Sequence, residues 1–115
     1  MVAKKLGAAA AIFDEHGKIL LVKHNYGPLN WELPGGGAEA NETIVETALR
    51  ETREETGLQV TAQHICGIYA IEENDSLHFV FLCHRTDTAA PAAQAAEISE
   101  CAYWSVEALP YLSDK

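Results

Sequence analysis

The stretch GGGAEANETIVETALRETREETG, residues 35–57, decides how the chain folds. Thr43 followed three residues later by Glu46 is a capping-box pair that opens a helix, and Gly57 after Thr56 closes it. At about 100° per residue, Val45, Ala48, Leu49, Thr52 and Thr56 gather within roughly one-third of the circumference and form an inward stripe. Glu51, Glu54 and Glu55 stand at i, i+3 and i+4, so they share another sector about 100° wide, with Arg50 at its edge. Like charges at these spacings destabilise a helix by about 0.2–0.5 kcal/mol per pair. Two of them also lie in the last turn, where the macrodipole disfavours anions. Something must compensate. Hydration, with Arg50 and Arg53 neutralising part of the charge, is one answer. The other is a hard divalent cation, which prefers oxygen ligands and is commonly shared between carboxylates and substrate phosphates. Gly35, Gly36 and Gly37 favour the cation, because without side chains they let backbone approach a ligand closely.

Upstream of this stretch, Leu6–Phe13 and Lys18–Lys23 read as strands joined by the turn Asp14-Glu15-His16-Gly17. Together they make a hairpin whose near-continuous apolar character predicts cover on both faces. From His24 to Gly37, the residues Asn25, Gly27, Pro28, Asn30, Pro34 and three glycines read as a shaped loop. Downstream, Gln59–Ile71 and Leu77–Arg85 are strands joined by the acidic turn Glu72-Glu73-Asn74-Asp75. In the second of them His78, Val80, Leu82 and His84 alternate with Phe79, Phe81 and Cys83. Thr86–Ala96, with six alanines and Pro91, is a spacer, and Cys101–Ser105 is a last strand. Strands and helix in so irregular an order predict an α/β layer architecture with a mixed sheet rather than repeated βαβ units.

A chain of 115 residues with 48% apolar character forms one domain, residues 1–115, and can build a core without disulfides. Eight basic residues against seventeen acidic ones give a formal charge of -9. That charge argues against binding a nucleic-acid polymer or an anionic membrane, both of which need a basic face. A phosphate-bearing partner would need a mediating cation. The longest apolar run, Leu6–Phe13, falls far short of the ~20 residues that span a bilayer, and no signal-like leader precedes it, so a cytoplasmic location is expected. Cys66, Cys83 and Cys101 form no C-x-x-C pair and read as buried free thiols. His16, His24, His64, His78 and His84 lack the helical spacing of a zinc site, and His64-x-Cys66 and Cys83-His84 read as strand residues.

The pattern Gly36-x5-Glu42-x7-Arg50-Glu51-Thr52-x-Glu54-Glu55-x-Gly57-Leu58, preceded by Trp31-x-Leu33-Pro34-Gly35-Gly36, resembles the Nudix box. That box is the signature of MutT-like hydrolases acting on nucleoside diphosphates linked to another moiety. The resemblance implies a Nudix-type α/β/α sandwich on a mixed sheet. With the sequence ending at Lys115, the C-terminal helix of that fold is expected to be short or absent. The apolar surface so left would lower stability or be covered in a homodimer; a monomeric, high-melting protein in sedimentation and calorimetry would refute this. One position departs from the pattern: Thr52 stands where the family prefers an aliphatic residue, and its hydroxyl is expected to bond the backbone one turn earlier.

Carried over position by position, the resemblance implies that Glu51, Glu54 and Glu55 bind Mg²⁺ or Mn²⁺, with the Gly36 carbonyl as a further ligand. Arg50 and Glu42 would hold those glutamates in place. Glu97, seven residues before Trp104, resembles a downstream acidic residue that adds a ligand or serves as general base; Glu51 is the other candidate base. Substrate contacts are expected from Lys23, Tyr26, Trp31 and Tyr69, the aromatics by stacking on a base, with Phe79 read as core. The implied activity is a metal-dependent pyrophosphohydrolase with a small nucleotide substrate. The alternative is a non-catalytic nucleotide sensor, which the complete set of box glutamates disfavours.

Overall fold

Four successive alanines organise the architecture. In the computed structural model, which describes residues 4–25, 31–87, 90–93 and 98–109, they lie in strand β1 (Lys5–Ile12). Side chains this small allow close cover on both faces: Ala8, Ala10 and Ile12 are 0% exposed, and Ala9 and Ala11 are 6% exposed. β1 pairs antiparallel with the glycine strand β4 (Gly35–Gly37), Ala8 opposite Gly36. On its other edge it pairs parallel with β6 (Ser76–Arg85), from Lys5 opposite Ser76 to Ile12 opposite Cys83. β5 (Val60–Ile71) joins β6 antiparallel through a 3-10 turn, Glu72–Asn74, and completes a four-stranded mixed sheet in the order β4-β1-β6-β5. A second, antiparallel sheet has the order β3-β2-β7, from β2 (Ile19–His24), β3 (Trp31–Glu32) and β7 (Ile98–Trp104). Helix α1 (Ile44–Thr56) packs on β1 and β4. The core joins Ala8, Ala10, Ile12, Leu20, Ala48, Leu58, Val60, Phe81 and Cys83.

Helix α1 ends where the capping residues predict. Glu46 N donates to Thr43 Oγ1 at 3.1 Å while Thr43 N donates to Glu46 Oε1 at 2.8 Å. Gly57 sits at φ 78°, a left-handed conformation that favours glycine, and its N–H closes on Arg53 O. The buried face differs from the expected stripe. Val45 is 39% exposed, whereas Thr47 and Glu55 join Ala48, Thr52 and Thr56 inside. The buried arc is turned by roughly 60° toward the carboxylates, because β4 lies against that side and has no side chains to hold the helix off. Thr52 is fully buried, but its hydroxyl does not bond the preceding turn; Oγ1 has no hydrogen-bond partner among the described residues. Thr56 Oγ1 donates to Thr52 O instead, at 2.7 Å.

The predicted β1–β2 hairpin is only a turn. Asp14 Oδ1 accepts from His16 N and Lys18 N, both at 2.9 Å, and Gly17 takes φ 76°. Beyond the single bridge between Phe13 and Ile19 the two strands part into different sheets, because β1 already has β4 and β6 on its two edges. The predicted loop between His24 and Gly37 contains β3 and β4, whose backbones pair with β2 and β1. The glycines of β4 are an adaptation to that pairing: a Cβ on Gly35 would strike the carbonyl of Ala8 and the Cα of Ala9. The last strand begins at Ile98, earlier than expected. Cys83 is buried and Cys101 half-buried, but Cys66 is exposed, because β5 is an edge strand with a bulge between Ile65 and Gly67 that turns residues outward. Part of the Thr86–Ala96 spacer, and residues 110–115 where a C-terminal helix would begin, lie outside the described residues. Among the described residues no helix is long and apolar enough to cross a membrane.

Candidate active site

Arg50 is the hub of the acidic face of α1. Its Nε donates to Glu42 Oε2 at 2.6 Å and its Nη2 to Glu42 Oε1 at 3.1 Å, a two-pronged grip on one carboxylate. Nη1 reaches Glu51 Oε2 at 3.1 Å and Glu54 Oε1 at 3.2 Å, and Nη2 also donates to Gly37 O at 3.1 Å. One guanidinium, with its side chain 15% exposed, thus ties the loop before the helix, the glycine strand and two of the box carboxylates together. Glu42 additionally accepts from Glu39 N and Thr47 Oγ1. The Arg50 bond and these donors hold its carboxyl down at about 2. The bond to Glu42 first, and then the charges of Glu51, Glu42 and Glu39, raise the affinity of Arg50 for its proton against the opposing effect of burial.

The three box glutamates occupy three different environments. Glu54 is exposed and turned to Arg50. Glu55 is 4% exposed and accepts from Gly35 N at 3.1 Å. Glu51 lies between them: burial pushes its carboxyl above the ordinary range, Arg50 opposes that shift, and Glu55 is within hydrogen-bonding contact. Gly36 is pressed on this carboxyl so closely that a Cβ there would fall 2.5 Å from Glu51 Oε2. Arg50 supplies the positive charge beside Glu51 that the neighbouring carboxyl groups favour. Among the described residues no group of three or more His, Cys, Asp or Glu side chains is gathered as a finished metal cage.

On the other side of Gly35 and Gly36 opens a cavity of about 390 Å³ between the two sheets. Its walls include Ala8 and Ala9 of β1, Ile19 and Leu21 of β2, and Trp31, Leu33, Tyr69 and Ile71. Of the predicted substrate contacts, Trp31 and Tyr69 line this cavity. Trp31 packs edge-on against Trp104, with ring centroids 5.1 Å apart. Tyr69 stacks on His78, with centroids 5.3 Å apart and planes 13° apart. Lys23 is not among the lining residues; its Nζ stands 3.7 Å from Glu100 on β7. Phe79 packs against the core. Tyr26 and Glu97 lie outside the described residues. Two lining residues escaped the sequence reading, Glu32 and His78. The adjacency of Glu32 to Trp31 in a strand-edge position was the available signal for the first. His78 carried none, because its partner Tyr69 comes from another strand.

Residues 3–115 match the family model of the NUDIX domain. The chain belongs to the NUDIX family. An ADP-ribose pyrophosphatase of Methanocaldococcus jannaschii is 37% identical to it over 70 residues, which are 59% of this chain and 41% of that one. The phosphatase NudJ of Escherichia coli is 31% identical over 102 residues, 85% of this chain and 67% of NudJ. The match thus spans about two-fifths of the first relative's length and two-thirds of the second's. Among solved structures, an ADP-ribose pyrophosphatase from Streptococcus suis superposes with a TM-score of 0.82 at 31% identity, covering 96% of this chain and 80% of that one. A UDP-X diphosphatase superposes with a TM-score of 0.86 at 25% identity, covering 99% and 57% respectively. The NUDIX fold accounts for the mixed sheet and the helix α1 laid on it.

Proposed function

We propose that this chain hydrolyses the pyrophosphate bond of a nucleoside diphosphate linked to another moiety, with Mg²⁺ or Mn²⁺ as cofactor. The observation that carries the reading is the Glu51 carboxyl, withdrawn from solvent against Gly36, Glu55 and Arg50. Glu51, Glu54, Glu55 and the Gly36 carbonyl offer oxygen donors alone, the set that hard divalent cations prefer. These four are the proposed ligands. Bound there, the cation supplies Lewis acidity toward the phosphates and offsets their repulsion by an acidic chain.

Arg50 keeps Glu51 and Glu54 in their rotamers while Glu42 keeps Arg50 in place. Glu51, beside the other proposed ligands, is one proposed base for the attacking water. Glu97 is the other proposed base. As the water oxygen bonds to phosphorus, the bond from phosphorus to the bridging oxygen breaks and two phosphorylated products leave. Trp31 and Tyr69, with Lys23 and Tyr26, are the proposed substrate contacts. We further propose a single domain over residues 1–115, a cytoplasmic location and a homodimer, the exposed Ile65 and Ile68 of the edge strand β5 forming its contact.

A panel of nucleotide substrates assayed with Mg²⁺ or Mn²⁺ in ¹⁸O-labelled water tests the reading. Turnover is expected, the label identifies the phosphorus attacked, and Glu54→Gln lowers the rate by orders of magnitude. Activity indifferent to that change would remove the proposed site.

A further inference from the structure

We infer that the cavity beside Gly35 and Gly36 takes a guanine base and that Glu32 selects it, binding the donor edge of the ring with its carboxylate. The inference rests on the hydrolase reading for the phosphates and names the nucleoside that carries them. Glu32 lines a cavity whose other walls are mostly apolar, and its side chain is 44% exposed, so a ligand can reach it. Among the described residues its one ion-pair partner within 4 Å is His24 Nε2, at 3.8 Å, beyond hydrogen-bonding distance. Glu32 and the stacked pair, Tyr69 and His78, line this one cavity.

That pair is held still. Ser76 Oγ donates to Asn74 Oδ1 at 2.5 Å and so can only accept from His78 Nε2, 3.0 Å away, which fixes the imidazole beneath Tyr69. Trp31 is likewise fixed by Trp104. Flat, fixed aromatic walls suit a planar ring. A carboxylate offers acceptors only. Guanine presents two donors side by side, N1–H and the N2 amino group, one for each carboxylate oxygen. Adenine sets an acceptor next to its amino donor, and uracil flanks its one N–H with two carbonyls, so each would leave a lone pair facing Glu32.

The test is a titration of guanosine, adenosine and uridine, read by tryptophan and tyrosine fluorescence with divalent metal chelated. Guanosine should bind at least tenfold tighter than the other two. Glu32→Gln should weaken guanosine by about 10- to 100-fold, the scale of a lost bidentate base contact, and change adenosine and uridine by less than about threefold. Glu32→Asp should keep the order of preference. Equal binding of the three nucleosides by the unaltered protein overturns the inference, and that comparison needs no variant to fold. A 2′,3′-dideoxyguanosine affinity as poor as that of Glu32→Gln for guanosine overturns it too, by moving the carboxylate to the ribose. Turnover separates the two readings. Guanosine selectivity without hydrolysis under Mg²⁺ or Mn²⁺ sinks the hydrolase and leaves the base site, whereas hydrolysis with no base preference sinks the base site and leaves the hydrolase.

Discussion

Helix α1 carries its three box carboxylates within about one turn, from Glu51 to Glu55, and one arginine holds two of them. The cavity on the far side of the glycine strand is built differently: its wall runs from Ala8 to Leu109 and draws side chains from both sheets. The first region is fixed by spacing along one element, so its chemistry follows from local geometry. The second depends on which strands become neighbours, so its chemistry follows from topology. A site assembled in this way can keep its reacting groups while exchanging what it recognises.

Gly36→Ala attacks the seam between the regions and should have the largest effect. The new methyl would stand 2.5 Å from Glu51 Oε2 and 2.6 Å from its Cδ, so the carboxyl must move. A misplacement of about 1 Å at reacting groups costs on the order of 100-fold in rate. An assay showing kcat within threefold of the original would mean that the Glu51 position is not critical. Tyr69→Ala acts on the cavity alone and should sharpen the contrast. Losing one stacked face costs about 1–3 kcal/mol, which should appear as a rise in KM of about 5- to 100-fold with kcat nearly kept. An equal fall in kcat would show that the two regions are not separable. Thr52→Val touches neither ligand group and should have the smallest effect. It removes a buried hydroxyl that has no partner among the described residues. Relieving that penalty should stabilise the fold by about 1 kcal/mol, a rise of a few degrees in Tm by calorimetry. A lower Tm would mean that the hydroxyl is satisfied in solution.

The same contrast explains what could be read in advance. Thr43, Glu46 and Gly57 specify the helix ends by bonds that reach three or four residues, and the box glutamates follow from the same register. The strands β5 and β6 with the acidic turn between them were equally legible, from alternation and a turn. The placement of β1 was not: LGAAAAIF shows that it is covered on both faces but not by whom, and its parallel partner begins at Ser76. Glu55 was visible as one of three carboxylates, yet its burial depends on how closely a strand made only of glycine can lie on the helix. His78 became a cavity residue only through Tyr69 and Ser76, contacts across or along strands that no short motif encodes.

The parallel pairing of β1 with β6 sets an order of events for a chain leaving the ribosome. Once residue 57 has emerged, β1, β4 and α1 can already meet, so the acidic helix has its glycine cradle early. The recognition chamber must wait for a partner some seventy positions downstream, because Lys5 finds Ser76 only when the later hairpin is complete. Long-range pairings of this kind form slowly. The part of the cavity wall made by Tyr69, Ile71 and His78 is therefore expected to close after the acidic helix has met its glycine strand.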